Sequence, residues 1–147
     1  MTHSTPLLLL SLSPLVGCVN SRTQWVEVTV TTELIAPEGL SAPVYGEWNH
    51  TWSGEGELRV PLLPFEDFAA EGPGLVTTTL LVPLDGVEGL TLYAWMDLDG
   101  DGLHCAPGVT DEPAGLGEAL PFPATEADVT LSLEAPCLGA EALWDGG

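Results

Sequence analysis

Leu90-Thr91-Leu92-Tyr93-Ala94-Trp95-Met96-Asp97 is the stretch that decides the fold. Its side chains alternate: Leu90, Leu92, Ala94 and Met96 face one way, and Thr91, Tyr93, Trp95 and Asp97 the other. Period two over eight residues is the signature of a strand with one face on a core. The strand runs directly into Leu98-Asp99-Gly100-Asp101-Gly102. Asp97, Asp99 and Asp101 thus stand at i, i+2 and i+4, with glycines at i+3 and i+5. Carboxylates this close repel one another unless a cation lies among them. Glycine lets the backbone turn back so that they can point inward. Oxygen-rich loops of this kind suit hard cations, calcium above all.

Working outward, the same period recurs. Val26, Val28 and Val30 share a face upstream, and Val44, Trp48 and Trp52 share another. Leu58, Val60 and Leu62 alternate again, with Pro61 and Pro64 placing that run at a sheet edge or ending it early. Residues 65–70 read as one helical turn, closed by Gly72-Pro73-Gly74. Residues 75–84 are a Thr- and aliphatic-rich strand, 119–122 a short one, and 128–134 a last one with Val129, Leu131 and Leu133 inward. About seven strands, turns every 8–12 residues and no long amphipathic helix predict an all-β chain folded as a single β-sandwich. The domain occupies 25–137, and 138–147 form a flexible tail. The 17 glycines and 13 prolines lack a period and suit the turns of such a fold.

The 147 residues carry a formal net charge of -20, with only two Lys or Arg, namely Arg22 and Arg59. Binding to nucleic acid by phosphate neutralisation is excluded on that balance. So is docking on an anionic bilayer through a basic patch.

The first 17 residues read as an address rather than as fold. Their apolar run, Leu7-Leu8-Leu9-Leu10-Ser11-Leu12-Ser13-Pro14-Leu15-Val16, is too short for a spanning helix. It ends in Leu15-Val16-Gly17-Cys18, which resembles the lipobox of bacterial lipoproteins, although residues 1–6 hold no Lys or Arg. The resemblance implies cleavage before Cys18, acylation of that cysteine, a tether over 18–24 and a lipid-anchored place in the cell envelope. Val19-Asn20 after the cysteine resembles outer-membrane sorting. With Cys18 acylated, Cys105 and Cys137 remain, and an even remainder in an exported chain reads as one disulfide. Two free thiols and a soft-metal site are the competing readings. The bridge would bring the 90–97 and 128–134 strand ends to one pole, with the two strands running roughly the same way.

The acidic loop fails as an EF-hand: position 12 is Gly108 and no flanking helix is expected. It resembles the Asp-x-Asp-Gly-Asp-Gly calcium loops between strands of exported bacterial proteins, and a group of transthyretin-like β-sandwiches with such a loop after a strand. That implies calcium held by Asp97, Asp99, Asp101 and the Leu103 carbonyl, with Asp111 or Glu112 as the missing ligand, and a structural or interaction role. A solvated acidic turn is the simpler alternative, since Asp and Gly form turns readily. Tyr93 and Trp95, on the face away from the aliphatic stripe, are the pair that would stack on a carbohydrate if exposed. An enzyme is not expected: no Gly-x-Ser-x-Gly elbow occurs, and His104-Cys105 are sequence neighbours whose side chains point apart.

Overall fold

The structure, a computed structural model, describes residues 24–51, 62–84, 89–105, 111–118 and 120–144. Cys18 and its tether, Trp52 and the 58–60 alternation lie outside them. Among the described residues nine strands occur in order: β1 (Trp25–Ile35), β2 (Val44–Thr51), β3 (Leu63–Ala70), β4 (Gly74–Pro83), β5 (Gly89–Met96), β6 (Pro113–Leu116), β7 (Leu120–Pro121), β8 (Glu126–Ser132) and β9 (Ala135–Pro136). They form two sheets, β4-β1-β8 and β3-β2-β5-β6-β9, with β7 added beside β5. The expected all-β sandwich is therefore the fold.

One core draws on both sheets. Val28, Val30 and Leu34 of β1, Leu80 and Val82 of β4, and Val129 and Leu131 of β8 meet Val44, Trp48, Phe68, Leu90, Leu92, Ala94 and Met96 of the other sheet. These are even-numbered positions of β1, β4 and β5, and in β1 and β5 they lie on the faces that the alternation groups together. Each fully buried Val or Leu contributes about 1.5–3 kcal/mol, before the entropy of ordering the chain is charged against it.

Residues 65–70 are not a helical turn. They lie in β3, an edge strand antiparallel to β2. The register jumps from Trp48↔Glu66 to Asn49↔Pro64, which leaves Phe65 as an extra residue in a bulge. Period two plus one inserted residue gives the spacing of three between Phe65 and Phe68 that imitates a helix. Phe68 enters the core, while Phe65 stacks on His50 with ring centroids 4.2 Å apart.

The segment after Cys137 contains a short helical element. Ala140–Trp144 form a helical turn, α1, whose Leu143 N–H donates to the Gly139 carbonyl at 3.1 Å. The turn packs on β6. The chain enters it from Cys137, which is bonded to Cys105, so its start is fixed to the sandwich.

Strand β5 is buried on both faces. Its even face is core. Its odd face is roofed by the loop that follows β5 and by the segment after Cys137, as the contacts of Tyr93 below make plain. Downstream of β8, β9 is antiparallel to β6, which is antiparallel to β5. Hence β9 and β5 run the same way and deliver Cys137 and the acidic loop to one pole.

Candidate metal centre

Asp97 ends β5 with its side chain buried, and its backbone N–H is held by the Pro43 carbonyl at 2.9 Å. Its Oδ1 accepts from Gly100 N–H at 2.7 Å and its Oδ2 from Gly102 N–H at 3.0 Å. Both glycines take left-handed backbone, φ 79° and 76°, which is why they are glycine. Asp99 Oδ1 accepts from Asp101 N–H at 3.0 Å, and Asp101 Oδ1 from Leu103 N–H at 2.7 Å. The loop is thus coiled around its own carboxylates.

The return strand brings Glu112. Its side chain is fully buried. Oε1 accepts from Leu98 N–H at 2.9 Å and Oε2 from Cys105 N–H at 2.6 Å, the two ends of the loop. The Glu112 carbonyl accepts from Cys137 N–H at 2.9 Å. Cys105 and Cys137 are bridged with their Cα atoms 5.5 Å apart, so the disulfide reading holds over free thiols and a soft-metal site.

Carboxylate oxygens of Asp97, Asp99 and Glu112 lie within 4.8 Å of one another. Of the two return-strand candidates, Glu112 joins the cluster and Asp111 is exposed outside it. Asp101 and Leu103, both expected as ligands, are exposed. Asp101 lies outside the cluster, and its Oδ1 accepts the Leu103 N–H; Asp99, inside the cluster, is exposed as well.

The electrostatics are unbalanced. Among the described residues there is neither Lys nor Arg. The Asp101 N–H pulls the Asp99 carboxyl down. Lost hydration, the charges of Asp101 and Glu112 and the contact with Asp97 together outweigh it, and the net direction is up. An ionised carboxylate has roughly four acceptor sites, so each oxygen of Asp97 and Glu112 keeps one after its N–H bond. Three converging carboxylates with spare lone pairs, and no Lys or Arg among the described residues, fit a hard divalent ion.

Tyr93 and Trp95 do not form an open platform. Tyr93 is 8% exposed and Trp95 half-buried. The Tyr93 hydroxyl lies 2.8 Å from His104 Nδ1 and donates to the Leu138 carbonyl at 3.2 Å. The His104 ring sits against both aromatics, at centroid distances of 6.0 and 5.6 Å. His104 is a packing residue that fastens the loop to β5. Only its place directly before a half-cystine hinted at that.

Burial first, and the Glu47 carboxylate opposite in β2 second, push the Tyr93 phenol up to about 12. The ordinary value is about 10. The folded state holds this proton more tightly, so stability is expected to fall as pH rises from about 10 to about 12. Denaturant midpoints across that range check it, and Tyr93→Phe should remove this part of the slope.

No family model matches this chain, and no curated protein or solved structure is detectably similar to it.

Proposed function

We propose that this chain is a lipid-anchored, calcium-stabilised β-sandwich of the bacterial cell envelope, with a structural or interaction role at the pole closed by the disulfide. One observation carries the calcium reading. Asp97, Asp99 and Glu112 converge within 4.8 Å, with Glu112 fully buried, and no Lys or Arg among the described residues neutralises them. A calcium ion there would cancel the mutual repulsion and take up the spare oxygen lone pairs. The resemblance of residues 15–18 to a lipobox carries the anchor. Several acyl chains on Cys18 would give stable attachment, which one would not.

Calorimetry with calcium tests the first part, and a melt with and without chelator accompanies it. Calcium should raise the melting temperature and chelator lower it; a melt indifferent to both at low ionic strength would sink the reading.

Asp99→Asn gives a sharper test, because its expected effect changes sign with the ion. Asparagine keeps the oxygen that accepts the Asp101 N–H. In chelator the variant loses only repulsion and should melt higher than the parent. In calcium it loses a charged ligand, should bind at least about tenfold more weakly and should melt lower. For the anchor, Cys18→Ser should move the protein from the membrane to the soluble fraction.

A further inference from the structure

Among the described residues the two sheets end in four edge strands, with the two-residue β7 beside β5, and three of the four are defended against pairing with another chain. Strand β3 carries Pro64, a bulge, Glu66 and Asp67. Strand β8 carries Glu126 and Asp128, and β9 is two residues long and ends in Pro136. Charge, proline, bulges and shortness are the usual means of blunting an edge. Strand β4, Gly-Leu-Val-Thr-Thr-Thr-Leu-Leu-Val-Pro, has none of them over its interior. It bears no charge, although the whole chain carries -20. It is paired only with β1 among the described residues.

Its outer face also carries two exposed leucines. Leu75 is 76% exposed and Leu81 is 60% exposed. Elsewhere single exposed leucines need no explanation. Here two lie on one undefended strand.

The backbone register says which groups are free. Leu84 N–H donates to the Gln24 carbonyl at 2.7 Å, so the 24–84 pair is a hydrogen-bonded one. Hydrogen-bonded and non-bonded pairs alternate along an antiparallel ladder. The β1–β4 register therefore bonds the even residues of β4 to β1 and turns the N–H and C=O groups of Leu75, Thr77, Thr79 and Leu81 outward. Pro73 and Pro83, with no N–H, bound this window on both sides.

We propose that β4 pairs with β4 of a second copy of this chain, antiparallel about a two-fold axis at Thr78. The two three-stranded sheets then become one continuous sheet. In that register Leu75 faces Leu81 of the partner copy, Thr77 faces Thr79, and Thr78 faces its own equivalent. Each odd pair exchanges two N–H···O bonds. Each exposed leucine covers the other, and the threonines form cross-strand pairs of a stabilising kind. The arrangement is self-complementary, as a two-fold interface requires. A second copy is preferred over an unrelated peptide because both leucines and both bounding prolines fall into mutual register only about this axis. Glu27 and Glu33 of β1 sit beside Leu81 and Leu75. Their repulsion across the axis is screened by salt, so association should strengthen as ionic strength rises.

The test uses a Cys18→Ser background, which leaves Cys105 and Cys137 bridged. Thr78→Cys places two thiols at a non-hydrogen-bonded pair, about 4.5 Å between Cα atoms, which a disulfide can span. Mild oxidation should give a covalent dimer at least about tenfold faster than with Thr77→Cys, which meets Thr79 of the partner copy instead. In sedimentation equilibrium the Leu75→Lys/Leu81→Lys variant should associate at least about tenfold more weakly than the parent. Both leucines are exposed, so the variant should fold. Equal cross-linking from positions 77 and 78 would overturn the proposal. So would a parent that stays monomeric at high protein and salt concentration, including one that takes up an extended peptide at this edge.

Discussion

Glu112→Ala is expected to destabilise the protein by about 3–5 kcal/mol in chelator, and by more in calcium. The side chain is fully buried and its two oxygens accept Leu98 N–H and Cys105 N–H, one at each end of the acidic loop. Hydrogen bonds to a charged group are each worth about 1.5–3 kcal/mol, and removing the acceptor leaves two donors facing a cavity. Glu112→Gln should cost about half as much. The amide keeps one accepting oxygen and turns its NH2 toward the other donor. Asp111→Ala is the control one residue away: that side chain is exposed, and its loss should stay within about 0.5 kcal/mol. Urea denaturation of the four proteins measures this. Equal costs at 111 and 112 would mean that Glu112 does not hold the loop.

The contrast between these neighbours marks where the sequence stopped being readable. The sandwich was legible because its signal is local: alternation in residues 25–31, 90–97 and 128–134 assigns faces without knowledge of partners. The disulfide was legible from cysteine arithmetic. The bulge in β3 was not, since one inserted residue turns a strand's spacing into that of a helical turn. Nor was the burial of Tyr93 and Trp95. Alternation said that they faced away from the aliphatic core, but only the tertiary path of 98–105 and 138–144 puts a second roof over them. In the site, Asp97 and Asp99 were legible from the Asp-Gly pattern. Asp101 lies outside the cluster of three carboxylates, which the i, i+2, i+4 spacing by itself does not reveal. The choice of Glu112 over Asp111 depends on strand register at the start of β6, which no spacing in the loop reveals.

Removing the bridge with Cys105→Ala/Cys137→Ala is expected to cost about 3–4 kcal/mol from loop closure alone, for half-cystines 32 residues apart. The two half-cystines also sit in left-handed backbone, φ 49° and 51°, a region sparsely populated by residues other than glycine. What holds them there is shared with Glu112. Cys105 N–H donates to its carboxylate and Cys137 N–H to its carbonyl. Freed of the bridge, Cys105 can leave Glu112, and the carboxylate then loses one of its two donors. The bridge and Glu112 should therefore not act independently. In a cycle combining the cysteine pair with Glu112→Ala, the joint cost should fall short of the sum of the separate costs by about 1–2 kcal/mol. Calcium gives a second readout. With the bridge gone, the loop ends that gather Asp97, Asp99 and Glu112 separate in the unbound protein. Binding at the proposed site must then meet the ordering cost, so affinity should fall while Asp97, Asp99 and Glu112 themselves are untouched. Strict additivity, with calcium affinity unchanged on reduction, would show the disulfide to be a remote staple rather than part of the pole that shapes the site.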